Sequence, residues 1–217
     1  MNQQPMPHWH QRIDHLALAA PNLSEGIQYI EDLLSISVQP GGKHPAWGTH
    51  NVLLALGAAV FLEVIAPDPE RPDPVIPPLF GIDKLTEPKL TAWAAKEDQL
   101  DNRLTKLQQS GVTFGAKLSG QRKKPDGTIL KWELSDPLTV VGNGVVPFLI
   151  DWGQTPHPAA AMPQKCRLMD LSIEHPEIGQ IAEILRVLDL EDMQLSVASE
   201  PALVATIQTP KGIVTLR

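Results

Sequence analysis

Apolar residues recur along this chain in two rhythms that alternate. Ile13, His15 and Ala17 alternate with Asp14, Leu16 and Leu18, which reads as a strand buried on both faces at its end. After a break at Pro21-Asn22, the residues Leu23, Ile27, Ile30, Leu33 and Leu34 fall at helical spacing, with Asn22 or Ser24 as candidate N-cap. Thr49 to Leu56 and Ala59 to Ile65 read as two strands of a hairpin turning at Gly57-Ala58, and Ile36 to Gln39 as a further strand. The order is β-α-β-β-β.

The same order follows again. Lys89 to Ala95 reads as a strand, and Leu100, Leu104 and Leu107 form a helical stripe ended by Gly111. Strands are expected over Thr113 to Leu118, Thr128 to Leu134 and Val145 to Trp152, with a turn at Pro125-Asp126-Gly127. The helical stripe repeats at a constant offset of 77 residues. A third, shorter segment opens with a strand from Cys166 to Ile173. Its helix places Ile178, Ala182, Leu185 and Leu188 on one stripe, with Pro176 suited to the first turn. Strands at Gln194 to Ala198, Leu203 to Thr209 and Ile213 to Leu216 complete it. The expectation is an α+β fold of tandem modules at 12–66 and 86–153, with an abbreviated third module at 165–217. Pro-rich linkers fall at 67–85 and 154–164.

Composition narrows the classes of function. At 217 residues the chain is below the length at which a single core must split. A formal net charge of −7 argues against nucleic acid as partner, and the basic run Arg122, Lys123, Lys124 is too short to reverse that. The single cysteine, Cys166, excludes an internal disulfide and Cys-rich zinc sites, and fits a reducing compartment. Met1 to Arg12 has no apolar signal region, and the apolar run Val52 to Ala66 is broken by Glu63 and too short to cross a bilayer. A cytoplasmic protein without membrane association is expected. The chain carries no Walker loop, no G-x-G-x-x-G and no nucleophilic Ser or Cys motif.

Several local motifs carry a family resemblance: Ile13-Asp14-His15-Leu16, Gly48-Thr49-His50-Asn51-Val52-Leu53-Leu54, and Phe61-Leu62-Glu63-Val64-Ile65-Ala66-Pro67. With Arg122-Lys123-Lys124-Pro125-Asp126-Gly127 and Pro147-Phe148-Leu149-Ile150-Asp151-Trp152, they resemble the glyoxalase-like branch of the vicinal oxygen chelate superfamily. The resemblance implies a fold in which two modules pair their sheets into a curved, mixed-sheet cleft. It also implies a divalent metal (Zn, Mn, Fe, Co or Ni), held from the first and last strands of each module. The metal would be chelated by vicinal oxygens of a small substrate. Isomerase, lyase and dioxygenase reactions, homodimerisation, and metal-free drug-resistance binding modules all occur in the superfamily.

His15 and Glu63 match the family's ligand positions in the first module. An imidazole and a carboxylate are also reasonable donors on general chemical grounds. Glu63 is the catalytic candidate, as a base if it is free of metal. His50 depends on register. A two-residue turn at Gly57-Ala58 puts it on the face of Glu63, as a third ligand or substrate contact, and a three-residue turn puts it on the opposite face. Trp47 and Trp152 are candidate aromatic walls for a ligand, while Trp93 and Trp132 read as core. Arg122 is a candidate anion contact, with a bland alternative as a solvated loop tip, and Asp151 is the only possible second-module ligand near the position matching Glu63 or a substrate contact, its register open. The offset of 77 residues puts Ala92 where a second histidine is needed, so a four-ligand site is in doubt. Two readings stand: a metal-dependent enzyme acting on vicinal oxygens, and a metal-free module that binds a small molecule.

Overall fold

The computed structural model describes residues 8–71, 79–123 and 127–217. A short helix α1 (His8–Arg12) leads into β1 (Ile13–Ala19), α2 (Leu23–Leu34), β2 (Gln39–His44), β3 (Thr49–Gly57) and β4 (Val60–Pro67). The second set is β5 (Lys89–Lys96), α3 (Leu100–Gln109), β6 (Lys117–Lys123), β7 (Ile129–Ser135) and β8 (Phe148–Asp151). The third is β9 (Arg167–His175), α4 (Ile178–Val187), β10 (Gln194–Val197), β11 (Ala202–Thr209) and β12 (Gly212–Leu216).

Local chemistry sets the ends of these elements. α2 starts at Asn22, whose extended backbone lets its side chain accept from the Glu25 N–H at 3.0 Å. It stops at Ser35, which adopts the left-handed conformation at φ 56°. Its buried positions Ile30 and Leu34 pack on β3 and β4. Three strands, β2, β6 and β8, begin three or four residues later than their apolar patterns suggest, and Val145 and Val146 ahead of β8 are buried. Ile36 and Phe114 are buried as core plugs ahead of β2 and β6, and the ladders start after them. Lys124 and the Pro125-Asp126 part of the expected turn lie outside the described residues, as does most of the first proline cluster, at 72–78.

In both leading modules the first strand runs parallel to the last, with His15 beside Phe61 and Ala94 beside Phe148. The two first strands pair antiparallel, so the half-sheets join at β1 and β5. The result is a closed barrel in the order β1-β4-β3-β2-β6-β7-β8-β5, sealed at its far seam, among the described residues, by the pairing of Lys43 with Lys123. This is the curved mixed sheet expected of tandem β-α-β-β-β modules.

The C-terminal segment keeps that element order but not the strand order. Its sheet reads β10-β9-β11-β12, with β9 parallel to β10 and antiparallel to β11. Here the α4 crossover returns to the strand beside its start. In the barrel modules the opening strand instead pairs with the last one. The segment packs onto the barrel through a continuous apolar core that includes Trp9, Leu168, Leu185 and Ile207. Around that core, Arg103 bonds Glu97, the Val187 carbonyl and Asp189, tying α3 to the end of α4.

Both proline-rich connections fold back on the barrel. Leu79 and Ile82 of the first cover Ala19 and Ile65. In the second, Ala159 packs on Leu53, Ala55 and Phe61. Among the described residues, no helix is long and apolar enough to cross a membrane.

Candidate functional site

Two register irregularities build the site. On β1, Ile13 pairs with Ala95 and His15 with Ala94, which leaves Asp14 as the extra residue of a bulge. The bulge brings neighbouring side chains together, and Asp14 Oδ1 lies 2.7 Å from His15 Nδ1. On the β3–β4 hairpin, Gly57 pairs with Val60 around a turn at Ala58-Ala59, and a second bulge follows before Ala55 pairs with Phe61. Leu53 therefore sits opposite Glu63, and Asn51, two residues along, shares the inner face with Glu63.

A chain of polar groups crosses the barrel interior. Arg122 Nη1 donates to Asn51 Oδ1 at 3.0 Å, and Asn51 Nδ2 donates to Glu63 Oε1. Glu63 Oε2 faces His15 Nε2 at 3.8 Å, too far for a hydrogen bond, and both residues line the cavity. His15 passes through Nδ1 to Asp14, whose other oxygen accepts from Trp152 Nε1 at 3.0 Å. His157 Nε2 stands 3.2 Å from that same oxygen, at an angle too bent for a hydrogen bond. Because His157 Nδ1 accepts from the Ala159 N–H, the imidazole proton lies on Nε2 and points its positive end at Asp14.

Burial and these partners set the charges. Asp14 is 0% exposed. Burial pushes its carboxyl up, but His15 and His157 outweigh that and hold it well below the usual carboxylate range. Burial pushes His44 down to about 4, against the pull of Glu63, so it is neutral at physiological pH. Its Nδ1 meets Thr49 Oγ1 at 3.1 Å. Burial also lowers the Arg122 guanidinium, with Glu63 partly offsetting the effect.

The rest of the lining is apolar. His15 stacks on Phe61 at 4.7 Å and meets the edge of Phe148 at 5.5 Å. Trp132, Leu134, Phe148, Ile150 and Trp152 form the second-module wall. Trp132 lies across Gly120 of the paired strand, where an added Cβ would fall 2.2 Å from the indole nitrogen. The enclosed space is about 70 Å3, far below a drug-sized pocket. Trp47, Trp132 and Trp152 line both this cavity and an outer groove along β6, β7 and residues 151–156.

The structure brings His15, Glu63, Trp47, Arg122 and Trp152 to one cavity. Arg122 is 5% exposed, a cavity residue rather than a loop tip. His50 and Asp151 do not join it. The hairpin register turns His50 to the outer face, in the field of Lys43, Asp68 and Glu70, and its neighbour Asn51 takes the inner place. Asp151 points away from the cavity and accepts from the Gly153 N–H at 2.7 Å. Asp14, Asn51, His44 and His157 belong to the site without having been singled out in the sequence. A charged residue near the start of an otherwise apolar strand was the one available signal, for Asp14. Trp132, expected as core, lines the cavity.

A divalent metal does not fit this donor set. Among the described residues no three His, Cys, Asp or Glu side chains converge on one point. His15 and Glu63 form a pair, but Glu63 is already held by Asn51, which also carries the cationic Arg122. The second module offers Ala92 and Ala94 on β5 and Phe148 and Ile150 on β8, none of which can ligate.

Comparison with known proteins agrees with this architecture. The family profile described as the glyoxalase-like domain matches residues 13–188. The crystal structure of a hypothetical protein from Staphylococcus aureus superposes with a TM-score of 0.66 at 12% identity, over 94% of this chain and 98% of that one. That likeness concerns the fold alone. Methylmalonyl-CoA epimerase from Mycobacterium tuberculosis gives a TM-score of 0.43 at 20% identity, over 64% of this chain and 86% of that one. The Streptomyces coelicolor methylmalonyl-CoA epimerase, in complex with 2-nitronate-propionyl-CoA, gives 0.45 at 17%, over 68% and 98%. No curated protein matches the chain.

Proposed function

The chain belongs to the glyoxalase-like family of the vicinal oxygen chelate superfamily, and from that premise we propose that its barrel cavity is a metal-independent proton-transfer site for a small carbonyl compound. The observation that carries this reading is the Asp14–His15 contact of 2.7 Å beside a small cavity. Asp14 holds the imidazole proton on Nδ1 and leaves the Nε2 lone pair facing the cavity. This is the arrangement by which a buried carboxylate orients a histidine base.

The chemistry follows from that geometry. His15 Nε2 takes a proton from the carbon next to the substrate carbonyl. The electron pair of the broken C–H bond moves onto the carbonyl oxygen as an enolate. Return of the proton to a different atom gives an isomerisation, and loss of a leaving group from the adjacent carbon gives an elimination. Glu63, facing the same gap, is placed to hold or relay the proton. The aromatic walls exclude water and raise the strength of each electrostatic contact.

The test is deuterium wash-in. Neutral and anionic oxo compounds of two to four carbons are incubated with the protein in D2O and followed by NMR. Exchange at the carbon next to the carbonyl, lost in His15→Ala, supports the reading. Absence of catalysed exchange across the panel overturns it. The cavity would then be left as a metal-free binding module, a reading favoured by the uninterrupted apolar wall from Trp132 to Trp152.

A further inference from the structure

Arg122 stands out among the groups that line the cavity. It is 5% exposed, yet the nearest carboxylate, Glu63, is not within ion-pair contact among the described residues. Its one hydrogen bond there goes from Nη1 to the neutral amide oxygen of Asn51. A guanidinium carries five N–H donors in a planar fork. A cation this buried, without a contacting anion, is strongly unfavourable on its own. Its remaining nitrogens are not sealed in protein, since none is among the buried side-chain atoms that lack a partner. Arg122 lines the cavity, so an occupant of the cavity is a partner within its reach.

The surrounding structure holds this fork in place. Asn51 Oδ1 accepts from Arg122 and also from the Gly42 N–H at 2.9 Å. A side chain at Gly41 would strike that amide, with an added Cβ 2.0 Å from Asn51 Oδ1. The bare Gly41-Gly42 backbone is therefore what lets Asn51 lie against β2 and present its oxygen to Arg122. The same amide holds Glu63 through its nitrogen, which keeps the carboxylate on the His15 side and the guanidinium on the other.

We propose that Arg122 is the ligand anchor of this cavity, and that the ligand is a short-chain carboxylate whose two oxygens sit on the guanidinium fork. The inference rests on the reading of the cavity as a small-molecule site and names its substrate class. A planar fork matches a pair of adjacent oxygens in the way that a single lysine charge does not. In this chain the fork recognises the two oxygens that a divalent metal would chelate in a metal-holding cleft. The cavity of about 70 Å3 limits the enclosed part to a few non-hydrogen atoms. Anchored there, the carboxylate directs the chain beyond it, which in a 2-oxo acid carries the acidic C–H next to the ketone, toward His15 and Glu63, with the apolar wall beside it. Glu63 is the like charge that the ligand must avoid, and its retention by Asn51 separates the two.

The test uses binding rather than turnover. Propionate, pyruvate and 2-oxobutanoate, with their methyl esters, are titrated into the full chain by calorimetry and by tryptophan fluorescence, since three tryptophans border the cavity. The acids are expected to bind and the esters to bind at least about 30-fold more weakly, as for loss of one partner of a buried charge pair. Arg122→Met should lose acid binding by a similar factor and raise the Tm, because an unpaired buried cation is removed. Arg122→Lys should retain part of the affinity. Equal affinity for acid and ester, full binding in Arg122→Met, or no binding of any acid each overturns the proposal. If neutral ketones still exchange deuterium in a His15-dependent way while no acid binds, this inference fails and the proton-transfer reading survives.

Discussion

Asp14 and His15 are sequence neighbours whose side chains share one side of β1, joined Oδ1 to Nδ1 at 2.7 Å because a bulge sets Asp14 outside the β1–β5 pairing. In a regular strand they would point to opposite faces. The contact converts a buried histidine into an oriented one. It also ties the second proline-rich connection to the site, because His157 and Trp152 close on the same carboxylate.

Asp14→Asn tests this contact. The amide has one accepting oxygen and cannot accept from both His15 and Trp152 as the carboxylate does, and a stability loss of about 1–3 kcal/mol is expected in urea unfolding at pH 7. The folded carboxyl lies below its ordinary value. Its contribution is therefore present above the ordinary carboxylate pKa and is lost as pH falls through the folded value. The variant should unfold with a flatter acid limb than the wild type. In 15N NMR of histidine, the His15 proton should leave Nδ1 in the variant. An unchanged tautomer would mean that Asp14 does not orient the ring.

Metal content is the second test. The protein purified without chelator should carry well under one equivalent of Zn, Mn, Fe, Co or Ni. Addition of these ions should leave the Tm unchanged, since a ligand at 100 times its Kd would stabilise by about 2.7 kcal/mol. His15→Ala and Glu63→Ala should show the same metal content as wild type. Stoichiometric metal, lost in both variants, would refute the metal-free site.

His44 provides a pH signature. Its folded pKa, pushed by burial down to about 4, lies below the ordinary histidine value. The unfolded chain therefore binds the proton first. The His44 contribution is complete above about pH 6.5 and is lost as pH falls from there toward 4, by an amount of order 3 kcal/mol. His44→Gln should remove this part of the difference between urea midpoints at pH 7 and pH 4.5. If wild type and variant change in parallel, the assignment to His44 is wrong.

His50 and Asn51 separate the two faces of β3. His50→Ala should leave carboxylate binding within about twofold and stability within about 0.5 kcal/mol, as a substitution away from the cavity. Asn51→Ala removes the amide between Glu63 and Arg122, and should destabilise by about 1–3 kcal/mol and weaken carboxylate binding about tenfold or more. The reverse ranking would place the inner face of β3 on His50.

The sequence by itself determined the modules. The stripe of Leu23, Ile27 and Ile30 and its repeat at Leu100, Leu104 and Leu107 mark helices because apolar spacing near 3.6 is a local property. Local motifs were also enough to indicate the family and to single out His15, Glu63, Arg122, Trp47 and Trp152. The tertiary structure decided how they meet. A one-residue shift in the β3–β4 ladder exchanged His50 for Asn51, because side-chain direction has a period of two and each slip inverts it. A bulge opposite β5 placed Asp14 beside His15, and closure of the barrel moved Arg122 from a presumed loop tip to a buried wall. The His157 contact depends on a connection of more than ten residues folding back under the barrel, which no local pattern encodes. The strand order of the C-terminal sheet was likewise a matter of long-range pairing, since the same β-α-β-β-β sequence of elements supports both arrangements.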